Sequence, residues 1–237
     1  MKRLSIITTL IMTPALSFAG ENAITGSGQA GYIAKSGNTD SQALNAALKL
    51  EYSQDKNEYL GKLSADNTQE SGVTTAEKYQ LSLQANHNYN EAKTTYAFAS
   101  LDFLNDRFAD IDLQSEAFVG VGHRFLKDSK MRLAGEAGLG YSNTRYRSNT
   151  KDDSGAAVKV KEIFDYKFNA NVKLGQDLSA TTTSDRTNYE FNLNVESKMS
   201  DKLSMNIGYQ LRYTTKTPTP AVKDTDTETS VSLIYSF

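Results

Sequence analysis

Apolar and polar residues alternate with a period of two along most of this chain, and that pattern constrains the fold more than any other feature. From Tyr79 the odd positions read Tyr79, Leu81, Leu83, Ala85, His87 and Tyr89, against Lys78, Gln80, Ser82, Gln84, Asn86 and Asn88. The arrangement recurs from Met131, Phe164, Leu203 and Ser230. Across these five segments, 26 of 28 residues on one face are apolar, against 3 of 28 on the other. Successive side chains of a strand point to opposite faces, so each segment is a strand with one apolar and one polar side. No comparable helical periodicity competes with it.

A soluble sandwich would bury the apolar face, whereas a membrane barrel turns it to lipid and lines a lumen with the polar one. Four of these segments run 12 residues, longer than the usual five or six of soluble sheets. Aromatic residues gather at their ends (Tyr79, Tyr89, Tyr141, Phe164, Tyr166, Tyr213, Phe237), as in an interfacial girdle. Connections alternate in length. Short turns are predicted near Gln54–Asn57, Asn90–Lys93, Lys127–Lys130 and Ser200–Lys202. Longer loops are predicted near Asp66–Ala76, Asn105–Asp112, Asn143–Val158 and Thr215–Asp226. The expected fold class is therefore all-β: an antiparallel up-and-down transmembrane β-barrel of about twelve strands, with ten or fourteen as the alternatives. The eighth strand is read over 160–173. The ninth, Asp177–Ser184, is short for a crossing, which takes about 9–11 residues. In the fifth, Ala97, Ala99, Leu101 and Phe103 are read as outward, placing Ser100 and Asp102 inside.

Met1-Lys2-Arg3, the apolar Leu4–Leu16 and the small residues around Ala19 form a secretory signal peptide over 1–19, leaving a barrel domain over 20–237. Removing the leader takes two bases and no acid, so the mature chain carries 24 bases and 28 acids, a net charge of −4. The mean hydropathy of −0.52 averages two opposite faces and says nothing against a membrane. The absence of cysteine excludes disulfides, thiolate metal sites and thiol nucleophiles. The acidic balance excludes the basic signature of a nucleic-acid binder.

Parity assigns a set of charges to the lumen. The bases are Lys35, Lys49, Lys62, Lys78, Arg124, Arg132, Lys167, Lys173 and Arg212. The acids are Glu51, Asp66, Asp102, Glu116, Glu136, Asp165, Glu190 and Glu196. So near a balance favours cross-strand ion pairs that fill the interior over a strongly charge-selective pore. His87 and His123 fall on the lipid-facing parity beside Tyr89 and Phe125. A general base there is conceivable chemically, but interfacial placement is the expectation, and no Gly-x-Ser-x-Gly elbow accompanies them. The acidic groups Asp106, Asp110 and Asp112; Asp152 and Asp153; and Asp224, Asp226 and Glu228 read as solvated loop charge without EF-hand spacing. No catalytic residue, metal or cofactor is expected. Asp106 and Arg107 are read as an ion pair tying down a loop.

Gly37-Asn38-Thr39-Asp40, Asp106-Arg107-Phe108, Gly120-Val121-Gly122-His123-Arg124-Phe125-Leu126, Gly138-Leu139-Gly140-Tyr141 and the closing Val231–Phe237 stand in this order along the chain. Together they resemble the salt-induced outer-membrane protein family, a family of unknown function named for the domain DUF481. The resemblance covers nearly all of the mature chain and implies an outer-membrane location, a link to salt stress and no catalytic residues. The last strand also resembles the carboxyl-terminal signal of bacterial outer-membrane proteins. Tyr235 and Phe237 would be read there by the barrel-assembly machinery. The expected partners are outer-membrane lipid, lipopolysaccharide and that machinery, with the barrel a monomer. The expected function is non-enzymatic: envelope integrity or a response to salt or osmotic stress, with a packed or narrowly porous lumen. A passive diffusion channel for small solutes is the alternative, ahead of an outer-membrane hydrolase.

Overall fold

Strict alternation forces every strand to find a partner on each side while sending its two faces into different solvents. Closing the sheet on itself meets both demands, because it leaves no edge. The computed structural model, which describes residues 24–35, 41–148 and 150–237, is such a closed sheet. Its strands are β1 (Ile24–Lys35), β2 (Ser41–Gln54), β3 (Asn57–Glu70), β4 (Val73–Asn88), β5 (Thr95–Asp106), β6 (Ile111–Lys127), β7 (Met131–Tyr146), β8 (Asp153–Lys167), β9 (Val172–Thr182), β10 (Thr187–Lys198), β11 (Leu203–Thr214) and β12 (Thr225–Ser236). Each pairs antiparallel with its sequence neighbours, and β12 pairs with β1. Twelve is thus the strand number, and the alternatives of ten and fourteen fall away. The segment read as a signal peptide (1–19), the Gly37–Asp40 motif and the side chain of Lys35 lie outside the described residues.

The eighth and ninth strands differ from the expectation. β8 starts at Asp153 and ends at Lys167, and β9 begins at Val172 and has 11 residues, enough to cross. The turn between them hides in the sequence because it inserts four residues and so preserves parity: Val172 and Leu174 continue the outward series of Phe164 and Tyr166. Asn169 shapes this turn, its Oδ1 accepting from the backbone N–H groups of Asn171 and Val172 at 2.8 and 2.9 Å.

Two predicted loops are largely strand. β3 and β4 are joined by Ser71 and Gly72 alone, with φ of 49° and 78°, the type I′ geometry that suits the twist of a hairpin. β7 and β8 stay paired up to Thr144 and Asp153. Asn67, Gln69, Asn143 and Arg145 are outward residues on these extensions, so the sheet rises beyond its apolar belt on this side.

The interior is divided. On one wall Tyr96, Phe98 and Phe118 point inward and are buried. They fit because β6 and β7 set glycines opposite them. A Cβ at Gly122 would lie 2.2 Å from the Tyr96 ring, and one at Gly138 2.9 Å from Phe98. The expected facing of β5 therefore holds, with Ser100 and Asp102 inside and Ala99 and Leu101 outside. The opposite wall, β9 to β1, presents Ser179, Asn192, Asn194, Asn206, Gln210, Ser232 and Gln29.

Candidate functional site in the barrel lumen

The polar faces of the twelve strands enclose a cavity of about 680 Å³. Ten basic and ten acidic side chains belong to its described lining, so the balance expected from parity holds although several members differ. Lys159, Lys161, Asp177, Glu58 and Arg186 also face inward. Lys159 escapes the sequence reading because it precedes the strand read over 160–173, and Lys161 and Glu58 because each sits at the very start of its read strand. The signal for all three was parity, carried to the strand ends and, for Lys159, one residue past them.

At the mouth where β12 finishes, three half-exposed pairs stand around the wall: Lys49–Glu51 at 2.6 Å, Arg132–Asp165 at 2.6 Å and Lys173–Glu196 at 2.9 Å. Lys167 is in register with Lys173 at this end and lies outside the cavity lining. Just above, Arg124 reaches Glu58 at 2.6 Å and donates to Asn88 Oδ1 at 2.7 Å. Its guanidinium lies 4.4 Å over the Tyr96 ring. The Tyr96 hydroxyl in turn donates to Glu136 at 2.8 Å, where Gln84 Nε2 donates as well at 2.9 Å.

In the middle tier Lys159 bonds Asp102 at 3.1 Å, stands 4.0 Å from Glu116 and lies 5.1 Å over Phe118. Lys62 faces the cavity from β3. The upper tier crosses the lumen. Lys78 on β4 holds Glu228 of β12 at 2.8 Å, Gln210 of β11 at 3.1 Å and its neighbour Asp66 at 3.4 Å. Arg212 of β11 donates back to Gln80 of β4 at 3.1 Å and stands 3.9 Å from both Asp106 and Glu190. Glu190 also accepts from Gln210 and Asn192. β4 and β11 lie almost opposite one another around the barrel, so this network bridges two walls.

Asp106 and Arg107 do not pair with each other. Asp106 turns inward to Arg212 and accepts from the backbone N–H groups of Phe108 and Ala109, while Arg107 turns outward to Glu77 at 3.1 Å. Adjacent strand residues project to opposite faces, which forbids the expected contact. The acidic loop groups are likewise not simply solvated. Asp110 accepts from Ser148 N at 3.0 Å, Asp112 pairs with Arg145 at 2.7 Å, and Asp153 accepts from the Tyr146 hydroxyl at 2.8 Å. Asp226 and Glu228 face the lumen. Among the described residues no three His, Asp or Glu side chains are grouped to hold a metal ion.

The two histidines are outward, near the turns that join β4 to β5 and β6 to β7. His87 Nδ1 lies 2.9 Å from Asn57 Oδ1, and His123 Nδ1 lies 2.9 Å from Thr95 Oγ1. Each ring meets an aromatic edge, Tyr89 and Phe125 respectively.

An apolar belt around a polar, charge-balanced lumen defines an outer-membrane β-barrel. The chain belongs to the DUF481 family, described as a protein of unknown function, whose profile matches residues 28–237. It is 26% identical over 208 residues to the uncharacterized protein YdiY of Escherichia coli (strain K12), covering 87% of this chain and 81% of that one. Among solved structures it is similar to the KdgM porin, with TM-score 0.46, 10% identity and coverage of 91% and 99%. The translocator domain of the autotransporter NalP from Neisseria meningitidis has TM-score 0.43, 10% identity and coverage of 90% and 87%.

Proposed function

We propose that this chain is a non-catalytic outer-membrane barrel whose lumen is a narrow conduit, constricted by the Lys78–Arg212 network and without strong preference for either charge. The observation that carries this reading is the set of bonds from β4 to β11 and β12, which crosses between walls of a cavity of about 680 Å³. Twelve strands lie between the filled eight-stranded and the open sixteen-stranded barrels. The balanced lining supports weak selectivity, since lumen charge sets preference among ions. The outward, interfacial setting of His87 and His123 supports a barrel without hydrolase chemistry.

Recording from the purified protein in planar bilayers tests the reading. Small unitary currents with a reversal potential near zero in a salt gradient are expected. A large, open-porin conductance overturns the constriction, and hydrolysis of lipid or peptide abolished by His87→Ala with His123→Ala overturns the non-catalytic assignment.

A bridged lumen also suits a protein that supports the envelope under salt or osmotic load without leaking solutes. A deletion strain should then lose viability in high salt more than in low salt, and equal growth overturns that role. Export by the 1–19 leader and assembly through β12, with Tyr235 and Phe237 as its signal, complete the proposal.

A further inference from the structure

Two polar side chains interrupt the apolar outer belt well away from its edges. Glu162 on β8 and Gln176 on β9 both face outward, in register with outward neighbours: Glu162 with Gly135 and Leu178, Gln176 with Phe164 and Leu193. Phe164 and Tyr166 separate Glu162 from the turn between β8 and β9, and Val160 and Val158 continue the belt above it. Gln176 Nε2 donates to Glu162 Oε2 at 2.6 Å. That bond uses one amide hydrogen and one carboxyl oxygen. The other carboxyl oxygen of Glu162, and the second N–H and the carbonyl oxygen of Gln176, have no partner among the described residues. Hydrocarbon offers neither donors nor acceptors, and an ionisable residue at membrane depth calls for a named partner.

Beside this pair the outer wall is hollowed into a groove of about 620 Å³. Its floor is made of Gly135, Ala137 and Ala180, and Phe125 and Tyr189 stand at its sides. Small residues of this kind let two membrane-embedded surfaces approach closely enough for polar side chains to bond across them.

We propose that this face is where two copies of the chain meet, around a twofold axis near Glu162. Such an axis brings Gln176 of each copy to Glu162 of the other, the reciprocal arrangement of an isologous contact. The second N–H of each Gln176 then donates to the free carboxyl oxygen of the other copy's Glu162, which leaves only the Gln176 carbonyl oxygen to be met. An acyl chain fills the groove but leaves all of these groups bare. A different partner must carry a matching amide and carboxyl at the same depth, and a second copy does so by construction.

Sedimentation equilibrium of the full barrel in density-matched detergent should give a dimer mass. Glu162→Leu combined with Gln176→Leu, an apolar replacement suited to the belt, should weaken association by about tenfold or more. Heat-modifiable gel migration should confirm that this variant still folds. The chain has no cysteine, so single cysteines locate the face: a long bifunctional thiol cross-linker should join two Ala137→Cys chains in native membranes and not two Ala46→Cys chains from the far wall. A monomer mass for the unaltered protein, association unchanged by the leucine pair, or equal cross-linking from both faces overturns the proposal. So does a monomer that retains a tightly bound lipid in the groove.

Discussion

The guanidinium of Arg124 meets the carboxylate of Glu58 at 2.6 Å, joining β6 to β3 across the two strands between them while covering the ring of Tyr96. Both side chains are largely buried, so neither is well served by water when its partner is removed. Arg124→Ala should destabilise the barrel by about 3–5 kcal/mol, the loss typical of breaking a buried pair. Arg124→Lys should fall between, because it keeps the charge but not the fork that also reaches Asn88. Urea titration of folding in lipid vesicles, read by gel mobility, measures the order: wild type, then lysine, then alanine.

Glycines of the barrel differ sharply in what surrounds them. A Cβ on Gly140 would lie 2.0 Å from the Ala117 carbonyl oxygen and 2.5 Å from the Phe118 ring, whereas one on Gly28 meets nothing within 4 Å. Gly140→Ala should therefore destabilise by about 1–3 kcal/mol through overpacking. Gly28→Ala should stay within about 0.5 kcal/mol of wild type. Equal effects in the same vesicle titration would contradict the close approach of β6 and β7.

Those glycines mark where the sequence was legible and where it was not. Parity alone identifies the barrel, its twelve strands and most lumen charges, because a period of two is fixed by strand geometry. It also places Gly120, Gly122, Gly138 and Gly140 on the polar face. Nothing in parity, however, says that Tyr96 and Phe98 fill the space those glycines leave. That requires the register between β5, β6 and β7. Strand ends were less visible for a related reason. The four-residue turn after Lys167 keeps the alternation in phase, and the Ser71-Gly72 turn consumes too few residues to interrupt it. The bridge from Lys78 to Gln210 was beyond reach, since it joins residues far apart in sequence across the lumen.

Asp128 opens the turn before β7, accepting from the backbone N–H groups of Met131 and Lys130 at 2.7 Å each. These bonds to the charged form, Met131 first and Lys130 second, hold its carboxyl below the ordinary aspartate value of 3.8. A depressed folded value means stabilisation present above that ordinary value and lost as pH falls through the folded one. Asp128→Asn can still accept through its amide oxygen but does not titrate. The wild type should lose more of its stability than the asparagine variant as the solution is acidified below about pH 4. Parallel acid titrations of the two proteins in vesicles check this, and identical curves would remove Asp128 from the acid response.

Phe237 closes the seam between the last strand and the first. Its backbone exchanges two 3.0 Å hydrogen bonds with Gly26, and its ring lies where a Gly26 Cβ would come within 2.6 Å. The ring covers bare backbone at a seam whose register extends over only four residue pairs, from Ser27–Ser236 to Ala30–Leu233. Phe237→Ala should weaken closure by about 1 kcal/mol, the scale of a cross-strand pair. The expected outcome is a heat-modified transition at lower temperature, with Phe237→Tyr close to wild type.

The upper lumen offers a prediction with a sign. Lys78 and Arg212 are the cations of the bridging network, and around them stand Asp66, Asp106, Glu190 and Glu228. Replacing both cations by alanine removes the contacts between opposite walls and leaves those carboxylates facing one another. The passage should widen, so unitary conductance should rise. Its balance should also shift toward negative, so the reversal potential in a salt gradient should move from near zero to the cation-selective side. Replacing Glu190 and Glu228 by glutamine instead keeps comparable bulk, so conductance should rise less while selectivity moves toward anions. Opposite shifts from the two double variants are the expected result, because the same four carboxylates and two cations determine both passage and preference.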